Sequence, residues 1–246
     1  MPDKRSVMLE LTDVHTYYGA SHVLQGVSLT VAEGEVLGVL GRNGMGKTTL
    51  IHTIAGLLRP RRGSVRFHGK EIGGASAERI SRAGMALVPQ GHRVFPSLTV
   101  RENLKVAVRR GPKGTGWTVD DVVDRFPVLG ERWGLSAGLL SGGQQQMLAL
   151  GRALVGNGRL VLLDEPTEGL DPQTVARVGD VVDELRRRGT SAILVEQKVD
   201  FALRRVDRAV VLGRGRVVHT TEQPQELRTD TDALRELLAV GGAQRT

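Results

Sequence analysis

Eight consecutive residues, Gly41-Arg42-Asn43-Gly44-Met45-Gly46-Lys47-Thr48, carry the most specific chemistry in this chain. They satisfy the pattern G-x-x-x-x-G-K-[ST], whose glycines let the backbone curl until its amides face phosphate oxygens. Lys47 can reach the terminal phosphates, and the Thr48 hydroxyl can ligate magnesium. The loop follows the apolar run Val36–Leu40 and precedes the helical-looking residues 49–57, so a helix start adds its partial positive charge at the same place. A Gly-rich turn would match by chance on the order of once in a hundred such chains, and the flanking strand and helix lower that further. Nucleotide binding follows.

A phosphate loop alone does not separate kinases, GTPases and transport ATPases. Leu160-Val161-Leu162-Leu163-Asp164-Glu165 ends an apolar strand in two adjacent carboxylates. Asp164 can hold Mg2+, directly or through water, and Glu165 can orient and deprotonate an attacking water. On its own the pair would be no more than an acidic turn before Pro166 about one time in four. Beside a phosphate loop the catalytic account is the stronger.

These residues need a scaffold, and its pieces are legible as hydrophobic patterns. Alternation at Leu9 and Leu11, at Val27, Leu29 and Val31, and at Val65 and Phe67 predicts half-buried strands with one wet face. The continuous apolar runs 36–40, 160–163 and 192–195 predict parallel strands covered on both faces. Between them, residues 91–156 read mostly as helices, interrupted by a loop at 111–116. Thr99 with Glu102 has the form of a capping box, and Thr118 with Asp121 a weaker one. Asp171 and Pro172 suit the cap and first residue of a helix carrying Val175, Val178, Val182 and Leu185. A hairpin around Gly213-Arg214-Gly215 and a last helix with Leu234, Leu237 and Leu238 complete the reading. The fold class is α/β: a phosphate-loop core with a mixed sheet, an N-terminal antiparallel β part and an inserted α-helical subdomain. The 246 residues form one domain, with core segments of about 1–90 and 157–246 and the insert at about 91–156.

Composition narrows the partners. With no cysteine, disulfides, thiolate metal sites and cysteine nucleophiles are excluded. The N-terminus lacks the apolar core of a signal peptide, and no apolar run approaches the ~20 residues needed to span a bilayer. The net charge of +7 suits an anionic partner, yet the basic residues are dispersed instead of forming a stripe, so no nucleic-acid partner is expected.

Leu140-Ser141-Gly142-Gly143-Gln144-Gln145, about twenty residues before Asp164, resembles the signature sequence of ABC ATPases. With the two motifs above in the same order, the resemblance runs from about Val7 to Val240. It implies ATP and Mg2+ as ligands and carries several roles with it. Tyr18, just before Gly19, resembles the aromatic that stacks on adenine, in preference to Tyr17. Gly41, Asn43, Gly44, Gly46, Lys47, Thr48 and Thr49 would hold phosphates. Gln90 resembles the glutamine that contacts Mg2+ and attacking water and joins core to insert. Ser141, Gly142, Gly143 and Gln144 would start a helix whose amides hold the γ-phosphate on a partner subunit, and Asp171 resembles the residue linking the two sites. Two subunits would therefore meet head to tail around ATP.

One position departs from the wider family. Where most members have a histidine that senses γ-phosphate, this chain reads Glu196-Gln197-Lys198. Gln197 can donate a hydrogen bond but cannot become a cation, so slower hydrolysis at this site than at a histidine-bearing one is expected. Yet Val195-Glu196-Gln197, Val88-Pro89-Gln90-Gly91, Arg93-Val94-Phe95-Pro96 and Glu165-Pro166-Thr167-Glu168-Gly169 together resemble an ATPase subunit of branched-chain amino-acid importers and their urea and amide relatives, where this glutamine is usual. That resemblance implies a motor at the cytoplasmic face of the inner or plasma membrane. Its partners would be a second, different ATPase subunit, two membrane-spanning permease subunits and, indirectly, a solute-binding protein. Urea or short amides remain an alternative cargo, another ABC transporter an alternative assembly, and a nucleic-acid-associated ABC ATPase a more distant one.

Overall fold

In a computed structural model the chain is described over residues 6–111 and 116–230, together with 232, 235 and 237. The interior of the expected 111–116 loop, and Leu234 and Leu238 of the expected last helix, lie outside the described residues. Leu237 is helical and packs against the core.

In order, the elements are β1 (Val7–Tyr18), β2 (Ser21–Ala32), β3 (Val36–Leu40), α1 (Lys47–Ile54), β4 (Arg62–Phe67), β5 (Lys70–Glu71), α2 (Ala77–Arg82) and β6 (Met85–Val88). Then come α3 (Val100–Lys105), α4 (Val119–Arg125), α5 (Pro127–Glu131) and α6 (Gly142–Val155). The chain returns through β7 (Leu160–Asp164), α7 (Pro172–Arg187), β8 (Ser191–Glu196), α8 (Val199–Leu203), β9 (Arg208–Gly213), β10 (Arg216–Thr221) and α9 (Pro224–Thr229).

The strands form two sheets, one antiparallel in the order β2-β1-β4-β5 and one in the order β10-β9-β3-β8-β7-β6. In the second, β9 to β6 are parallel and only β10 runs antiparallel, through its hairpin with β9. This sheet separates two cores, which explains the uninterrupted apolar runs. Leu37, Val39, Leu162, Ile193 and Val195 join the cluster with α1 and the antiparallel sheet. Their neighbours Val36, Leu40, Val161, Leu163 and Leu194 join the one built with α3 to α7. Successive side chains point to opposite faces, and each fully buried aliphatic chain contributes about 1.5–3 kcal/mol.

Caps set the helix starts. Thr99, Thr118 and Ser141 each form a full capping box, with Glu102, Asp121 and Gln144. Asp171 caps α7, with Pro172 at its first position. The first strand runs well past Leu11, to Tyr18, because register shifts after Leu11 and Val14 let it bend while still pairing with β2. The sequence patterns do not announce α2, β5, β6, α8 or α9. The six residues of α2 bury only Ile80, and β6 has only four residues, so neither makes a periodic pattern.

Candidate active site

Parallel register brings the chemistry to one edge. β3, β8, β7 and β6 end at Leu40, Glu196, Asp164 and Val88, so Gly41, Gln197, Glu165 and Gln90 emerge side by side at the carboxyl ends of their strands, where open α/β sheets bind ligands.

The phosphate loop owes its path to two glycines. A Cβ at Gly41 would come within 2.6 Å of the Leu212 carbonyl oxygen, and Gly46, at φ 100°, caps α1 with left-handed backbone. No side chain caps this helix, which leaves its first-turn amides for an anion. Asn43 and Gly44 lie exposed on the outer curve. Thr49 is buried, its carbonyl accepts from the Thr53 hydroxyl at 2.7 Å, and its N–H is one of the first-turn amides of α1. Lys47 turns inward: Nζ donates to the Gly41 and Arg42 carbonyls at 2.9 and 3.2 Å and pairs with Glu165 Oε1 at 3.1 Å.

Asp164, at the end of β7, is 1% exposed. Burial pushes its carboxyl up to about 6, against the hydrogen bond that Thr48 Oγ1 donates to Oδ1 at 3.4 Å. Its Oδ2 is buried with no partner among the described residues, an acceptor suited to a cation. Mg2+ fits here: hydroxyl, carboxylate and the Gln90 amide supply only hard oxygen ligands. Among the described residues no group of three or more His, Cys, Asp or Glu could hold a metal by itself.

Glu165 adopts φ 48°, a strained setting for a residue with a side chain, and its N–H donates to the Val195 carbonyl at 3.0 Å. Its second carboxylate oxygen accepts a short hydrogen bond from Gln197 Nε2. Glu196 stands behind it, 2% exposed, accepting from the Thr167 amide at 3.1 Å. Burial pushes its carboxyl above the usual range.

Gln90 donates to Glu168 Oε2 at 2.7 Å. Beyond it His92 bonds Gln146 Oε1 at 2.9 Å, and Gln146 Nε2 donates to the Pro166 carbonyl at 3.0 Å, tying the loop after β6 to α6 and to the loop after β7. In the capping box of α6 Ser141 and Gln144 satisfy each other's amides, so Gly142 and Gly143 carry the unpaired first-turn N–H groups. Asp171 spends its carboxylate on α7, accepting from the Gln173 and Thr174 amides and the Thr174 hydroxyl.

The two tyrosines differ in what already covers them. Tyr17 stacks on His22 at 4.2 Å and carries the Arg61 guanidinium at 4.3 Å, which together occupy its faces. Tyr18 is 47% exposed and its hydroxyl bonds His52 Nδ1 at 3.3 Å. Burial, with Arg93 adding to it, holds His52 below the usual imidazole range.

Direct contacts thus join Lys47 and Gln197 to Glu165, and Thr48 to the adjacent Asp164. No hydrogen bond among the described residues links Tyr18, or the 141–144 helix start, to that cluster. Glu168, Glu196, His52 and His92 entered the site unanticipated as functional groups. Glu168 and Glu196 do lie inside motifs with recognisable neighbours, but their contacts come from segments far apart in sequence.

The sequence profile of the ABC transporter family matches residues 24–168. The high-affinity branched-chain amino acid transport ATP-binding protein BraG of Pseudomonas aeruginosa is 43% identical over 212 residues, 86% of this chain and 91% of that protein. The probable branched-chain amino acid transport ATP-binding protein LivF of Archaeoglobus fulgidus is 37% identical, over 85% and 90% of the two chains. A dimeric bacterial ABC transporter cassette superposes with a TM-score of 0.76 at 26% identity, covering 87% of this chain and 98% of the other.

Proposed function

This chain belongs to the ABC transporter family, and from that premise we propose that it is the ATP-hydrolysing subunit of an importer of branched-chain amino acids. The cargo follows the two relatives named for that transport. The observation that carries the catalytic part is the buried Lys47–Glu165 pair, beside the buried Asp164, with the exposed Gln197 bonded to Glu165. Among the described residues no helix is long and apolar enough to cross a membrane. In this reading transport needs two permease subunits, with this chain at their cytoplasmic face.

Tyr18 stacks on the adenine, and the amides of residues 41–49 hold the phosphates. Mg2+, when bound by Thr48, Asp164 and Gln90, neutralises charge across the terminal phosphates. Lys47 gives up Glu165 and its two loop carbonyls for phosphate oxygens, which leaves the Glu165 carboxylate to receive a proton from the attacking water. Gln197, already on Glu165, keeps that carboxylate aimed and offers a neutral donor. The water oxygen bonds to the γ-phosphorus as the bond to the β-bridging oxygen breaks, giving ADP and phosphate. Gly142 and Gly143 meet the γ-phosphate held by the second ATPase subunit, and Asp171 lies at the junction of the two sites. Phe95, 44% exposed beside the loop of Gln90, joins the surface that passes this movement to the permeases.

The test is to express a tagged Glu165→Gln chain in its native host, trap it with ATP and Mg2+, and identify what co-purifies from gently extracted membranes. Two permeases, a second and different ATPase and a solute-binding protein that binds leucine, isoleucine or valine are expected. A solute-binding protein selective for urea or short amides would overturn the cargo. Recovery without any membrane subunit would overturn the transport role.

A further inference from the structure

The 2.7 Å bond from Gln90 Nε2 to Glu168 Oε2 decides which end of the Gln90 amide faces the site. An ionised carboxylate only accepts, so it takes the NH2 end and leaves Oε1 as the outward group. An alcohol or an amide at position 168 could pair with either end of Gln90. Glu168 therefore supplies a direction as well as a contact.

Nothing else in the described structure accounts for this carboxylate. Glu168 is exposed, contributes nothing to either core, and makes no ion pair among the described residues. Its backbone is referenced to the catalytic end of β7, because Glu168 N–H donates to the Glu165 carbonyl at 3.1 Å. Three residues further on, Asp171 caps α7. The side chain thus reaches from a turn anchored on Glu165 to the loop that follows β6.

We propose that Glu168 is a positioning residue that fixes the Gln90 amide with Oε1 presented as an oxygen ligand, and fastens the loop after β6 to the turn after Glu165. The inference rests on Gln90 acting as a ligand of the nucleotide-bound divalent ion. Outer partners of this kind commonly change metal affinity by about 10-fold or more when removed.

The experiment uses Mn2+ as the probe, titrated into the full chain saturated with ATP and followed by the electron paramagnetic resonance of free Mn2+. Glu168→Ala is expected to weaken Mn2+ binding about tenfold, with metal-free ATP affinity within twofold of the parent and an unchanged melting temperature. Gln90→Ala is expected to weaken it at least as much, and Glu168→Ala placed on top of Gln90→Ala to add less than twofold. Weakening by Gln90→Ala alone, with Glu168→Ala at parental affinity, overturns the role of Glu168 and spares that of Gln90. Parental affinity in Gln90→Ala overturns the ligand reading and the inference with it. Fully additive losses overturn the coupling.

Discussion

Lys47 Nζ and Glu165 Oε1 stand 3.1 Å apart with both side chains almost wholly buried. The lysine that is to meet phosphate and the carboxylate that is to meet water thus neutralise each other in the structure described. Removing one member of such a pair leaves an uncompensated charge in a low-dielectric site, which costs more than the pair itself contributes.

Lys47→Met should therefore destabilise the nucleotide-free chain by about 3 kcal/mol, read from urea unfolding. Adding Glu165→Gln to it should recover more than half of the loss. Equal stability of Lys47→Met and the parent would mean that the pair is solvated and inconsequential.

Asp164 makes a distinct contribution to the pH response. Burial pushes its carboxyl in the fold up to about 6, above the ordinary aspartate value of about 3.9, so the fold binds the extra proton between those values. This group's contribution to stability consequently falls as pH rises from about 4 through 6 and is restored on acidification. Asp164→Asn should be more stable than the parent at pH 7, by a margin that shrinks at pH 5. Cation binding must expel that proton, so the Mg2+ affinity of the ATP complex should weaken by roughly tenfold per unit below pH 6. A flat affinity between pH 5 and 7, measured by calorimetry with buffer-corrected proton release, would contradict the assignment.

Base stacking should belong to Tyr18. Tyr18→Ala should raise the ATP dissociation constant by roughly 5-fold or more, as loss of a base–aromatic stack worth about 1 kcal/mol or more gives. Tyr17→Ala should leave that constant within twofold while lowering the melting temperature, since His22 and Arg61 lose their platform. Fluorescent-nucleotide displacement distinguishes the two, and the reverse ranking would reassign the stack.

Gln197 holds Glu165 without bringing a positive charge. In the assembled transporter Gln197→Ala should lower kcat about tenfold or more with little change in KM, as expected when a transition-state contact is lost. Gln197→His should raise turnover at least twofold. Turnover equal to the parent would show that a neutral donor already suffices at this position.

Much of this architecture could be read directly from residue patterns, for physical reasons that differ by element. Residues 36–40, 160–163 and 192–195 announce central strands because both of their faces meet a core. Capping residues such as Thr99, Ser141 and Asp171 announce helix starts because their bonds are local. Glu196 shows the limit. At the end of an apolar run it looks like a solvent-facing boundary, yet it is 2% exposed and holds the Thr167 amide, 29 positions away. No spacing rule encodes a contact between two loops that meet only after the sheet has formed. The same holds for Gln90 and Glu168, 78 positions apart, and for Tyr18 and His52, 34 apart.

The strand order has a consequence for how faults combine. The phosphate loop leaves β3 and Gln90 leaves β6, with β8 and β7 between them, so their roots are separated by three strand intervals of about 4.8 Å, or roughly 14 Å in all. Nothing on either root spans that gap alone. Asp164, Glu165 and Gln197, at the ends of the intervening strands, stand like contacts wired in series, and opening any one of them interrupts the circuit. Double substitutions along this row should be scarcely worse than the more severe of their single substitutions.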